Sequence, residues 1–226
     1  KWHINREEQD AYAAESHRRA LHAIQNGYFQ EQIVPVEIIV DKKKVSFDTD
    51  EHPRSDTSAE NLAALRPVFK KDGTVTAGNA SGINDSAAAL VLMESSAAEK
   101  RNLTPLARLV SYGHAGVDPK LMGIGPIPAV RQALSRANLS VADLDVIESN
   151  EAFAVQACAV AKELQFDPAK TNPNGGAVAL GHPIGATGSI LSIKAIYELH
   201  RCGGRYALIT MCIGGGQGIA AVIERL

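Results

Sequence analysis

Tyr206-Ala207-Leu208-Ile209-Thr210-Met211-Cys212, then Ile213-Gly214-Gly215-Gly216-Gln217-Gly218, then Ile219-Ala220-Ala221-Val222-Ile223-Glu224, is the stretch on which the fold turns. Two apolar runs, Tyr206 to Cys212 and Ile219 to Glu224, flank a glycine turn, which predicts two neighbouring strands. Upstream, a helix is predicted from Pro183 to His200, with proline near the first helical position, and a Gly-rich link precedes it. A helix from about Asn150 to Leu164, a strand from Leu144 to Glu148, a helix from Pro126 to Ala137 and a strand from Leu106 to Tyr112 complete the pattern. The order βαβααββ predicts an α/β fold, a mixed sheet covered by helices.

The earlier part is less regular. Asn5 and Glu8 form a capping-box start, and apolar residues at helical spacing run to Asn26 before Gly27. Ile33 to Val40 reads as an edge strand because of Pro35, and Lys42 to Lys44 as a turn. Asp48 to Arg66 is polar and helix-poor. Thr74-Val75-Thr76 reads as a short strand, Ala77 to Gly82 as a turn of small residues, Ser86 to Met93 as an apolar strand, and Ser96 to Asn102 as a short helix. The strand, turn and strand of 74–93 weakly echo those of 206–223.

Composition narrows the classes. The 226 residues are 45% hydrophobic and 21% charged with net charge −2, ordinary for a globular chain and without the excess that nucleic acid or an anionic membrane would attract. No apolar run approaches the roughly 20 residues of a membrane span. Cys158, Cys202 and Cys212 are three in number and lack CxxC spacing, so no disulfide framework or metal site is expected, and a reducing, cytoplasmic setting fits. The opening at Lys1, almost directly in a helix, reads as part of something longer.

Three residues carry the candidate chemistry. Cys212 closes a strand beside a glycine run whose N–H groups can gather on an oxyanion, so its thiol can act as nucleophile or as acid and base. A buried structural cysteine is the plain alternative. His182 stands before Pro183, which predicts a place at a helix N-terminus where the dipole keeps the imidazole neutral. A capping role is its alternative, set against the glycines around it. Asn150 follows a strand at the carboxyl edge of the sheet, where open α/β sheets hold ligands, and an ordinary N-cap explains it equally well. Arg54, alone in an acidic run, can meet a phosphate or an adenine face, or be an ordinary surface residue.

Asn150-Glu151-Ala152-Phe153, Asn174 to Ala186, Cys212 to Gly218 and Thr76 to Gly82 together resemble the thiolase family, specifically the biosynthetic-type acetyl-CoA acetyltransferases, over essentially the whole chain. The resemblance implies a layered sandwich of two similar halves. Residues 106–226 would form a complete C-terminal half, and residues 1–105 a CoA-covering loop region plus the last strands of the first half. It implies interconversion of two acetyl-CoA with acetoacetyl-CoA and CoA, with CoA thioesters as substrates, no bound cofactor and no metal. A residue like His182 activates a nucleophilic cysteine, and one like Cys212 exchanges the substrate α-proton. One like Asn150, through a water, joins His182 in an oxyanion hole, and the N–H of a glycine like Gly214 serves a second. Ala80, Ser81 and Gly82 would meet the pantetheine, Arg54 the adenine end, and Met122 and Phe153 the acyl pocket.

The family's nucleophile precedes the first residue of this chain, so the 226 residues alone are expected to be inactive. The intact enzyme is expected to be a homo-oligomer, dimer or tetramer. A degradative 3-ketoacyl-CoA thiolase and a non-catalytic CoA-binding module are the alternatives.

Overall fold

The computed structural model describes all 226 residues, Lys1–Leu226. Helix α1, Arg6–Gln25, starts as its sequence predicts: Asn5 accepts from the Glu8 amide at 2.8 Å and Glu8 accepts from the Asn5 amide at 2.8 Å. Its Ala13, Ala20 and Ala23 are buried, and it lies across helices of the C-terminal part.

Strand β1, Val36–Val40, pairs antiparallel with β2, Lys43–Phe47. The turn is Asp41-Lys42, with φ of 49° and 64°, the mirror-image geometry that matches strand twist. The lysine run is therefore only partly a turn, because Lys43 and Lys44 already pair with Val40 and Ile39. The polar 48–66 region contains a short helix α2, Ala59–Ala63, capped by the Ser58 hydroxyl and anchored by Leu62 against Ala13 and Val178.

Two expected strands do not form. At 74–76 the Thr76 amide donates to Asn79 Oδ1 at 2.8 Å instead of entering a ladder. Residues 86–93 have no partner strand, leaving Val91 and Leu92 86% and 74% exposed. A β-pattern needs a neighbouring backbone to become a strand. The 74–93 echo is thus not realised as a hairpin. Helix α3, Ser95–Lys100, follows, entered through Glu94.

The remainder runs β3 (Ala107–Gly116), α4 (Pro126–Ala137), β4 (Val146–Ser149), α5 (Ala154–Leu164), α6 (Ala177–Leu180), α7 (Thr187–Cys202), β5 (Tyr206–Ile213) and β6 (Gln217–Arg225). The sheet order is β3-β6-β5-β4, parallel between β4 and β5 and antiparallel elsewhere, so the expected α/β fold with a mixed sheet is present. Period-2 alternation divides its residues between two layers. Ile147, Leu208 and Val222 face Val130 and Leu134 of α4 and Val160 of α5. Val146, Ala207, Ile209 and Ile223 face Leu191, Ala195 and Leu199 of α7. Each valine, leucine or isoleucine side chain so removed from water contributes about 1.5–3 kcal/mol. Gly113 lets α4 lie close on β3, since a Cβ there would sit 2.4 Å from the Ala129 carbonyl oxygen.

Two helix starts differ from expectation. Helix α5 begins at Ala154, not Asn150, because residues 150–153 turn away from the strand and Phe153 is its N-cap. Helix α7 begins at Thr187, because Pro183 lies in a preceding turn whose carbonyl accepts the Ala186 and Thr187 amides. The four-residue α6 has too short a pattern to be predicted.

Candidate active site

Asn150 leaves β4 with its amide donating to the Thr210 carbonyl of β5 at 2.9 Å. Cys212 lies two residues further along β5, so the carboxamide and the thiol share the carboxyl edge of the parallel pair. His182 arrives from the Gly181 turn and is held by Gly82, whose carbonyl accepts its amide at 3.2 Å. Its Nε2 meets Asn150 Nδ2 at 3.3 Å and its Nδ1 meets Thr187 Oγ1 at 2.7 Å. Since the Thr187 hydroxyl donates to the Pro183 carbonyl at 2.9 Å, it accepts from Nδ1–H, and the Nε2 lone pair accepts from Asn150 Nδ2.

The imidazole pKa is lowered as expected, but by burial rather than by a helix end, since α7 starts five residues later. The neutral ring can take a proton at Nε2 and return it as a donor. Asn150 is 1% exposed and its Oδ1 has no partner, a vacant acceptor beside His182. A buried acceptor of this kind calls for a hydrogen-bond donor such as a water. The N-cap reading of Asn150 does not hold, because the helix begins four residues on.

Cys212 is 6% exposed, and burial pushes its thiol up. Its thiolate, once formed, is accordingly a stronger base. No hydrogen bond joins Cys212 to His182 or Asn150; Cys212 and Asn150 share the sheet edge, and His182 meets that edge through Asn150. In the following turn Gly215 and Gly216 have φ of 86° and 85°, and a Cβ on Gly216 would lie 2.4 Å from the Val117 carbonyl oxygen. Gly214 differs, because a Cβ there would meet nothing within 4 Å. Its backbone borders open space, as a ligand-facing N–H requires.

Loop 80–82 touches both arms of the site. The Ser81 hydroxyl and amide donate to the Ala152 carbonyl at 3.0 and 3.2 Å, and Ala80 bridges Phe153. Phe153 packs edge-on against Phe69 with centroids 6.0 Å apart. Met122 lies in a 3-10 turn, 119–124, which packs on α5, β5 and β6, with Gly123 resting on Gln156 of α5. Arg54, Ala80 and Gly82 line a cavity of about 300 Å³ with His17, His52 and Asp56. No cluster of three or more His, Cys, Asp or Glu residues gathers to hold a metal.

Several residues were not singled out in the sequence. Glu151 is 1% exposed and accepts from Tyr12 (3.1 Å), Ser16 (2.7 Å), Asn172 (2.8 Å) and the Val178 amide (3.1 Å). It ties the turn after Asn150 to α1 and α6. Thr187 sets the tautomer of His182, and its only sequence signal is a hydroxyl residue one turn beyond the histidine.

His17 accepts the Arg54 amide at 3.0 Å, and burial pushes its pKa down to about 4. A histidine depressed in the fold binds fewer protons than in the unfolded chain, so its stability contribution is present above about 6.5 and lost as pH falls toward about 4. His17→Gln retains an acceptor and does not titrate. Urea titrations at several pH values should show a shallower acid loss for the variant than for the parent in that window.

Family profiles match most of the chain: one described as "Thiolase, N-terminal domain" covers residues 1–96, and one described as "Thiolase, C-terminal domain" covers residues 103–225. The beta-ketothiolase BktB of Cupriavidus necator is 65% identical over 100% of the chain and 58% of its own length. An acetyl-CoA acetyltransferase of Escherichia coli K12 is 56% identical over 99% of the chain and 57% of its own length. The mitochondrial 3-ketoacyl-CoA thiolase of Bos taurus is 52% identical over 99% of the chain and 56% of its own length. Among solved structures, the Bacillus anthracis acetyl-CoA acetyltransferase superposes with a TM-score of 0.96 at 54% identity, over 99% of this chain and 57% of that one. The human mitochondrial 3-ketoacyl-CoA thiolase in complex with CoA gives 0.91 at 49% identity, over 99% and 55%. The chain thus spans a little over half the length of these relatives. No helix is long and apolar enough to cross a membrane.

Proposed function

This chain belongs to the thiolase family, and from that premise we propose that it forms part of an acyltransferase that interconverts two acetyl-CoA with acetoacetyl-CoA and CoA. The observation that carries the reading is the buried, unpartnered Oδ1 of the Asn150 carboxamide whose Nδ2 meets His182 Nε2, at the sheet edge that also holds Cys212.

In the proposed reaction His182 Nε2 takes the proton of an acyl-accepting thiol. Its Nε2–H, together with a water held by Asn150, then donates to the thioester oxygen as negative charge develops there. The first CoA leaves with the proton held on His182. Cys212 then loses its proton to water, and its thiolate removes the α-proton of the second acetyl group; the resulting carbanion attacks the acyl thioester and expels the acyl-carrying sulfur as a thiolate, which water reprotonates. The Gly214 amide borders open space where a second oxygen can sit. Ala80, Ser81 and Gly82 carry the pantetheine arm, and Arg54 meets the nucleotide end at the mouth of the neighbouring cavity. Phe153 and Met122 bound the acyl group.

We propose that the acyl-carrying thiol comes from outside residues 1–226. Cys158 lies mid-helix in α5 with its thiol pushed up to about 11 by burial, and Cys202 ends α7, so neither faces an oxyanion turn. A reducing compartment suits an exchangeable Cys212 thiol. The intact enzyme is proposed to be a homo-oligomer, which would give the exposed apolar residues Leu109, Tyr112, Val91 and Leu92 something to pack on.

The test compares thiolysis of acetoacetyl-CoA by residues 1–226 with thiolysis by the chain extended to its relatives' full length. Turnover is expected only from the extended protein. Normal turnover by the 226 residues alone would place the nucleophile inside them and end the proposal. A degradative 3-ketoacyl-CoA thiolase is the second reading, favoured by identity of 52% to a relative with that name. Faster thiolysis of longer 3-ketoacyl chains than of acetoacetyl-CoA would select it.

A further inference from the structure

Two residues before Asn150, Glu148 is 0% exposed on β4, and its Oε2 accepts from Lys194 Nζ of α7 at 2.8 Å. The same ammonium donates to the Gly175 carbonyl at 2.6 Å, and its side chain is 5% exposed. One turn further along α7, Glu198 accepts from Asn174 Nδ2 at 2.7 Å. Helix α7 therefore grips the turn at 174–175 from below. That turn leads through α6 to His182, and β4 leads directly to Asn150. Lys194 bonds to both routes from α7, alongside Glu151, which accepts from the Val178 amide, and Asn172, which bonds the Ser149 backbone.

Stability gives a poor reason for this pair. Burying two charges costs several kcal/mol per ion, and packed apolar residues of similar volume often serve as well or better. Glu148 is not even fully satisfied, since its Oε1 is buried without a partner. Burial holds its pKa up at about 7 against the pull of Lys194, with Glu151 and Glu198 adding to the rise. What the pair does supply is directional: a hydrogen-bonded tie of fixed length between the strand that carries the carboxamide and the turn that leads to the imidazole.

We infer that Glu148 and Lys194 are positioning residues that set the separation of Asn150 from His182. The inference rests on the proposed role of Asn150 and His182 as the reacting pair, but its test does not need turnover. The test follows the ring of His182 by nitrogen NMR in the 226-residue chain, its signal assigned by its loss in His182→Gln. In the parent, His182 should titrate below an ordinary histidine as the Nδ1–H tautomer. The double variant Glu148→Leu with Lys194→Met removes the tie without stranding a charge. It is expected to fold with unfolding midpoint equal to or above the parent, yet to raise the His182 midpoint by about half a unit or more as water reaches the loosened ring. Val160→Ala, a deletion in the α5 core, should lower stability and leave His182 unmoved.

An unchanged His182 signal in the double variant would overturn the inference, and so would a double variant that fails to fold, since the pair would then be a stability element. Movement of His182 in Val160→Ala would also overturn it by showing general looseness. A null result in this titration leaves the proposed reaction standing. Full activity in an extended His182→Ala enzyme would end that reaction without touching the tie.

Discussion

Cys212→Ala, introduced into the protein extended to its relatives' full length, should lower both condensation and thiolysis by roughly 10²–10⁴-fold, the range a positioned acid–base group supplies. Cys212 sits 6% exposed at the end of β5, paired across the hairpin with Gly218, and burial pushes its thiol up. Alanine fits the same space with one atom fewer, so the fold and the CoA contacts proposed for loop 80–82 and the Arg54 cavity should persist. The expected signature is a collapse of kcat with KM for the CoA ester little changed. Loss of binding with kcat retained would mean that the thiol packs and does not react.

The second large effect is on stability. Glu151→Ala should leave the Tyr12 hydroxyl, the Ser16 hydroxyl and the Val178 N–H without their acceptor in a site 1% exposed, and the Asn172 amide with only the Ser149 carbonyl. Each stranded donor costs about 1–3 kcal/mol, and a domain typically holds only about 5–15 kcal/mol in total. Glu151→Ala should therefore be largely unfolded or insoluble under conditions where the parent is folded. Glu151→Gln, which keeps an oxygen acceptor but loses charge and one acceptor site, should fall between them in urea midpoint. A Glu151→Ala chain as stable as the parent would show that the four contacts are incidental. The cavity is already closed to alternatives, since a Cβ on Gly176 would lie 2.2 Å from the Glu151 carboxyl carbon.

The legible parts of the sequence were those whose signal is periodic and local. Pro126–Ala137 is read with its own limits because proline starts it and the apolar stripe is unbroken, and β5 and β6 are legible because alternate residues serve two different cores. The helix starts near Asn150 and His182 were misread for one reason. Capping and proline preferences describe residues at the lip of a helix, whereas these stand in connecting turns held by distant partners: Thr210 for Asn150, Gly82 for His182. The run at 86–93 has a strand's pattern and no neighbour to pair with, so local propensity had nothing to act on. Glu151 could be quoted as part of a motif but not understood from it, because its partner Ser16 lies 135 residues away. The family resemblance, by contrast, rests on short motifs that survive such errors, and the family profiles match the same chain.

Cys212 is proposed to act on a substrate proton while His182 and Asn150 act on a substrate oxygen, and these two duties separate experimentally. The deciding measurement is exchange of deuterium from solvent into the methyl group of acetyl-CoA by the extended Cys212→Ala enzyme, followed by NMR alongside transfer of the acetyl group onto the protein. The expected result is acetyl transfer close to the parent rate with exchange lost. Exchange at the parent rate in that variant would contradict the account, because some other group would then be moving the proton.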